Sequence, residues 1–96
     1  MYDIETTQAF DYWLESIRDR KARMVIVKRI RSMAQGSLGE TRSLADGLFE
    51  AKIRYGPGFR LYFVNKGTKI IVLLCGGDKS TQKQDIAQAR EMAKEI

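Results

Sequence analysis

Lys52, Arg54, Arg60 and Lys79, together with Glu50, Tyr55 and Tyr62, are the residues whose types and spacing suit chemistry. Arginine grips a phosphate through two parallel hydrogen bonds and stabilises the charge that grows in a pentacovalent transition state. It cannot serve as a base, because its pKa lies above about 12. A lysine or Glu50 is then the group to accept the proton of an RNA 2′-hydroxyl, and Tyr55 or Tyr62 offers a ring on which a base can stack. No carboxylates stand at metal-ligand spacing, so the expected reaction uses neither metal nor any other cofactor. The internal 2′-OH is then the nucleophile. The chain has no histidine, which removes His-based acid–base pairs, Ser-His-Asp triads and most zinc sites together.

A second stretch, "LLCGGDKSTQ" from Leu74, looks like a phosphate-binding loop, with two glycines and a Lys-Ser pair between an apolar run and a helix. A nucleotide P-loop, however, needs glycine directly before its lysine and again five residues earlier. Those places hold Asp78 and Leu73, and Asp78 would repel a triphosphate. The stretch instead reads as a strand end, a helix cap and one lysine, Lys79, within reach of the cluster above.

The elements that must position these residues follow from periodicity. Thr6 or Thr7 is a plausible N-cap for a helix with Phe10, Trp13, Leu14 and Ile17 on one face. A second helix, from about Arg20 to Gln35, carries Ala22, Ile26, Ile30 and Met33 inward and stops at Gly36. After a loop from Gly36 to Gly47 the period becomes two. Phe49, Ala51, Ile53, Phe59, Leu61 and Phe63 fall on a core face, and Glu50, Lys52, Arg54, Arg60 and Tyr62 on a polar one. Gly56-Pro57-Gly58 makes the turn between the two strands. Lys66-Gly67 makes the next, before the apolar central strand Lys69 to Cys75. Thr81 and Gln84 fit a capping box for a last helix with Ile86, Ala89, Ala93 and Ile96 inside. The expected fold is one α+β domain over residues 1–96: a helical hairpin with a possible short first strand, an antiparallel meander, and a C-terminal helix.

Composition sets the remaining bounds. The chain is 44% hydrophobic and 30% charged, ordinary for a globular domain. A net charge of +5 favours an anionic partner, nucleic acid or an acidic protein segment. The basic run Arg18, Arg20, Lys21, Arg23, Lys28, Arg29 and Arg31 suits an RNA backbone, with Arg20, Lys21, Lys28 and Arg31 as its expected contacts. No segment has the length of a membrane span or the pattern of a signal peptide, and the single Cys75 makes no internal disulfide. A cytoplasmic protein is expected, with Cys75 a small buried strand residue.

"FEAKIRYGPGFRLYF" (Phe49 to Phe63) followed by "LLCGGDKSTQKQDIAQA" (Leu74 to Ala89), with "FDYWLESIRDRKA" near the start, resembles the RelE/ParE toxin superfamily. Within it, the chain is most similar to the HigB-like, phage Gp49-related branch of addiction module killer proteins. The resemblance implies a fold like that of small microbial ribonucleases. It also implies a type II toxin that cuts messenger RNA on the ribosome by 2′-OH attack, leaving a 2′,3′-cyclic phosphate. The implied partners are the ribosome with its mRNA and a helix-turn-helix antitoxin, through which alone operator DNA would be contacted. On this resemblance Arg60 is the phosphate-binding arginine, Lys52 the basic residue beside it, and Lys79 the cation at the last strand's end. Phe59 stands where a tyrosine is commoner, and Asp85 stands near the place where active ribonuclease members put a histidine or tyrosine acid. A ParE-like gyrase inhibitor and a catalytically inactive antitoxin-binding module are therefore the alternative readings.

Overall fold

The computed structural model describes all residues, 1–96. The chain is α+β, with three helices and a five-stranded mixed sheet. Strand β1 (Asp3–Thr6) comes first, then α1 (Gln8–Ser16), α2 (Arg20–Ala34), β2 (Thr41–Ser43), β3 (Leu48–Ile53), β4 (Phe59–Lys66), β5 (Ile70–Gly77), a 3-10 turn (Lys79–Thr81) and α3 (Gln82–Ala93). The sheet order is β1-β5-β4-β3-β2, with β1 parallel to β5 and every other pair antiparallel. The meander is thus extended at both edges. Strand β2 forms inside the stretch read from sequence as a loop, its three residues being too few to show a period.

Helices cover both faces of the sheet. Phe10 of α1 and Ala22, Ile26 and Met33 of α2 pack with Ala51, Ile53, Phe59, Leu61, Phe63, Ile71 and Leu73. On the other face, Ala89 of α3 packs with Leu48, Tyr62, Val64, Val72, Leu74 and Cys75. The face read as polar is therefore polar at one end only, where Glu50, Lys52 and Arg60 stand. Tyr62 is fully buried beneath α3 and presents no ring for a base, which corrects its assignment to RNA stacking. Ile96, placed inside on periodicity, is exposed beyond the end of α3.

The predicted N-cap holds at Thr7, whose side chain accepts from the Phe10 amide at 3.1 Å. At the last helix the cap lies elsewhere. Asp78, not Thr81, accepts from the Ser80 amide at 2.8 Å and forms a capping box with Thr81 over the 3-10 turn. Thr81 instead donates to Asp85 at 2.6 Å. Arg29, one of the helix cations assigned to a basic run, turns inward. It donates to the carbonyls of Leu38, Glu40 and Lys52 at 2.8–2.9 Å, tying α2 to the approach of β2 and the end of β3.

The pairing of β4 with β5 explains the glycine pair. Cys75 lies opposite Tyr62 but Leu73 opposite Phe63, so Leu74 is an extra residue, a β-bulge. Leu74 and Cys75 consequently both face α3. The phase shift then turns Gly76 toward the Trp13 ring of α1 and Gly77 toward the Asp85 carboxylate of α3, each so close that a Cβ would overlap it. These glycines let two helices approach the sheet; they do not cradle phosphate. Gly76→Ala should cost about 1–3 kcal/mol, the range for overpacking a filled site, read as a lower urea midpoint.

Candidate functional site: a cation cluster around a buried carboxylate

The site is built on cross-strand pairs. Arg42 of β2 lies opposite Glu50 of β3, and Lys52 of β3 opposite Arg60 of β4, so strict alternation puts all four on one face. Glu50 is 3% exposed and Arg60 is 5% exposed, rare for charged residues unless they are paired. Glu50 Oε1 accepts from Arg42 Nε at 2.8 Å, and Oε2 accepts from Gln82 Nε2 at 2.9 Å. Arg60 Nε stands 3.8 Å from Oε2, close enough for charge attraction and too far for a hydrogen bond. Burial disfavours the Glu50 anion, but the bonds from Arg42 and Gln82, the Arg42 charge and the nearby Tyr62 hydroxyl outweigh it. The carboxyl is held below the usual range.

Two buried polar atoms, Arg60 Nε and the Tyr62 hydroxyl, have no hydrogen-bond partner. Both lie near the Glu50 carboxylate, whose oxygens are already engaged. Burial, followed by the Glu50 charge, pushes the Tyr62 phenol up, so it stays protonated. Burial and the Asp85 charge likewise push the Cys75 thiol up to about 12, leaving it no nucleophile.

The turn after β3 brings the third cation. Gly56 and Gly58 take φ of +56° and +79°, open to glycine and strained for other residues. Arg60 Nη1 donates to the Gly58 carbonyl at 2.8 Å, and the Lys79 amide reaches the Pro57 carbonyl at 3.4 Å. Gly58 thus sits between Arg60 and Lys79. Around this turn is a cleft of about 330 Å³ lined by Lys52, Arg54, Tyr55, Arg60 and Lys79. A second cleft of about 410 Å³, lined by Glu40, Thr41, Arg42, Glu50, Lys52, Arg60 and Gln82, shares Lys52 and Arg60 with it. Arg54 is exposed and clasps Glu40 through Nε at 2.8 Å and Nη2 at 3.0 Å, which spends part of its charge.

The sequence-predicted site therefore divides. Lys52, Arg60 and Lys79 converge, with Arg54 and Tyr55 at the rim. Glu50 lies beneath them as an anchor; a carboxylate with both oxygens engaged and its pKa lowered is a poor proton acceptor. Tyr62 is buried. Arg20, Lys21, Lys28 and Arg31 line a separate groove of about 900 Å³ with Leu14, Met24, Val25 and Val27, and share no residue with the sheet clefts. Sequence reading missed Arg42 and Gln82. Arg42 stands on the strand that three residues concealed, and Gln82 enters only through the helix start. Asp85, near the expected acid position, is bound to Thr81.

No family model matches this chain. It is 43% identical over 93 residues to an uncharacterized protein of Haemophilus influenzae, a match spanning 97% of this chain and 94% of that protein. The chain belongs to that protein's family.

The anchor has a testable energetic signature. Glu50→Ala removes the anion facing buried Arg60 and should cost about 3–5 kcal/mol, as breaking a buried pair does. Glu50→Gln keeps the shape and costs less. Because the folded pKa of Glu50 is depressed, its contribution is present above the unfolded value of about 4.3 and is lost as pH falls through the folded value. Urea titrations at stepped pH should show a shallower acid loss in Glu50→Gln than in the parent protein.

Proposed function

We propose that this protein is the toxin of a type II toxin–antitoxin pair, a RelE/HigB-like endoribonuclease that cuts ribosome-bound mRNA. The observation carrying this reading is the convergence of Lys52, Arg60 and Lys79, from two strands and a 3-10 turn, on one open cleft. The α+β layering, with a mixed sheet between α1–α2 and α3, fits a RelE-like, microbial-ribonuclease-like domain. Arg60 and Lys52 hold the scissile phosphate, and Arg54 adds positive charge at the rim. The 2′-oxygen attacks phosphorus, the bond to the 5′-oxygen breaks, and the products are a 2′,3′-cyclic phosphate and a 5′-hydroxyl. The 2′-hydroxyl proton passes to water in the open cleft, and Lys79 donates to the leaving 5′-oxygen. Tyr55, half-buried at the cleft wall, is the remaining stacking ring. Catalysis then rests on charge stabilisation by cations already in place. No metal ion enters this scheme.

The partners proposed are the ribosome and its mRNA, with Arg20, Lys21, Lys28 and Arg31 exposed on the helices to meet RNA phosphates. A helix-turn-helix antitoxin would neutralise the toxin and alone carry operator contacts. The proposed compartment is the cytoplasm; no helix is long and apolar enough to cross a membrane. A second reading, gyrase inhibition, is favoured by one observation: no histidine or tyrosine follows β5, where active ribonuclease members place their acid.

Induced expression should arrest translation before DNA replication. Primer extension should show cleavage of ribosome-bound mRNA that falls at least 100-fold in Arg60→Ala, the scale for losing one transition-state donor. Replication arrest with intact mRNA would instead support the gyrase reading. Growth without arrest would support a module that only binds its antitoxin.

A further inference from the structure

The second cleft differs in chemistry from the phosphate cleft beside it. It has no apolar lining, and it sets two carboxylates, Glu40 and Glu50, among Arg42, Lys52 and Arg60, with Thr41 and Gln82 as neutral polar groups. Its two carboxylates offset two of its three cations, so it attracts a second phosphate less than the neighbouring cleft, whose charged lining residues are all cations. A flat, polar, hydrogen-bonding group fits better. The volume, about 410 Å³, is that of a small-ligand site.

Arg42 is the group in this cleft prepared to read such a ligand. Its Nε donates to Glu50 Oε1 at 2.8 Å, and Glu50 is itself held by Gln82, so one edge of the guanidinium is anchored from beneath. Its two terminal nitrogens donate to no protein atom, and its side chain is 59% exposed. Two parallel donors on one planar group match a base edge with two adjacent acceptors. Guanine presents that edge through O6 and N7; adenine replaces one acceptor with an amino donor. Single-stranded RNA leaves this edge free for a protein to bond.

We propose that this cleft is a nucleobase pocket in which Arg42 selects guanine at the nucleotide next to the phosphate held by Arg60 and Lys52. The inference rests on the RNA reading above and adds a base specificity to it.

The test uses short single-stranded RNAs, 2′-O-methylated so that they cannot be cut, carrying one guanine, inosine, 7-deazaguanine or adenine in an otherwise uniform uridine strand. Inosine keeps O6 and N7; 7-deazaguanine lacks N7. The intact protein should bind the guanine and inosine strands about 5–100-fold more tightly than the other two, as one good bidentate pair provides. In Arg42→Met, which keeps much of the side-chain length but removes every donor, the guanine-to-adenine ratio should fall to near one. Urea unfolding of each variant checks the fold.

Equal binding of all four strands by the intact protein overturns the inference and leaves the RNA reading standing. So does an Arg42→Gln variant that weakens every strand alike and lowers the salt slope by about 0.7, the mark of a phosphate contact. Failure to bind any strand overturns this inference; the RNA reading is judged separately, by primer extension on ribosome-bound mRNA. Base discrimination that survives Arg60→Ala with undiminished affinity leaves the base pocket and removes the phosphate site.

Discussion

A carboxylate with 3% of its surface in water must be satisfied by donors, and Glu50 is satisfied by several segments at once. Arg42 reaches it from the edge strand, Gln82 from the first turn of α3, and Arg60 stands beside it on β4. Each partner depends on the others. Without Glu50, Arg60 would be a buried cation with no ion-pair partner, and Arg42 would lose its one side-chain anchor. Burying such a group is costly compared with an apolar side chain of similar size. Its retention makes sense where the surrounding cations must be held in one arrangement before a ligand arrives.

The bulge at Leu74 supplies the second constraint. One additional residue changes which way Gly76 and Gly77 face, and so decides how closely α1 and α3 approach β5. The seating of α3 then determines where Gln82 stands, and Gln82 occupies the Glu50 oxygen nearest Arg60. Packing of α3 on β5 is in this way connected to the donors of the cation cluster, which stands on the same face of the sheet. The Gly56–Gly58 turn links the same cluster to Lys79 through the Pro57 and Gly58 carbonyls. Positions far apart in the chain are thereby set by backbone geometry, with little left to flexible side chains.

Much of this was legible in the sequence because it rests on local signals. Alternation found β3, β4 and the residues that share a face; the 3.6-residue period found α1 and α2; Thr7 and the Gly-Pro-Gly turn were readable from their chemistry. The misses share a physical cause, since each depends on contacts distant in sequence. Strand β2 has three residues and exists through pairing with β3. Tyr62 belongs to the polar face by alternation, but α3 covers that end of the sheet. Arg29 looks like any other helix cation until three carbonyls from separate segments converge on it. Arg42 and Gln82 enter the site through Glu50, and no spacing in the chain announces that meeting. The Gly76-Gly77 pair was read as the end of the strand, where β5 does end, but why both positions are glycine was not legible, because the bulge that explains it is a property of the β4–β5 register.

On the proposed reading, the chemistry of the cluster has a consequence for its substrate. Glu50 is held ionised with both oxygens engaged, Tyr62 is held protonated, and histidine is absent. Histidine and a free carboxylate are therefore not in this site, and beside Lys79 as proton donor, stabilisation of charge on the phosphoryl oxygens is what it offers. Removing a single such donor typically costs about 10²–10³ in rate, so the cations account for part of an acceleration and not the whole. The remainder must come from alignment, since holding a nucleophile in line with its target can supply about 7–11 kcal/mol. The cleft, about 330 Å³, is at the small end of single-ligand sites, so most of an RNA strand would lie outside it. A nuclease of this construction would act best on RNA already bent into place by a larger partner, and the ribosome is the partner that holds mRNA in such a fixed path.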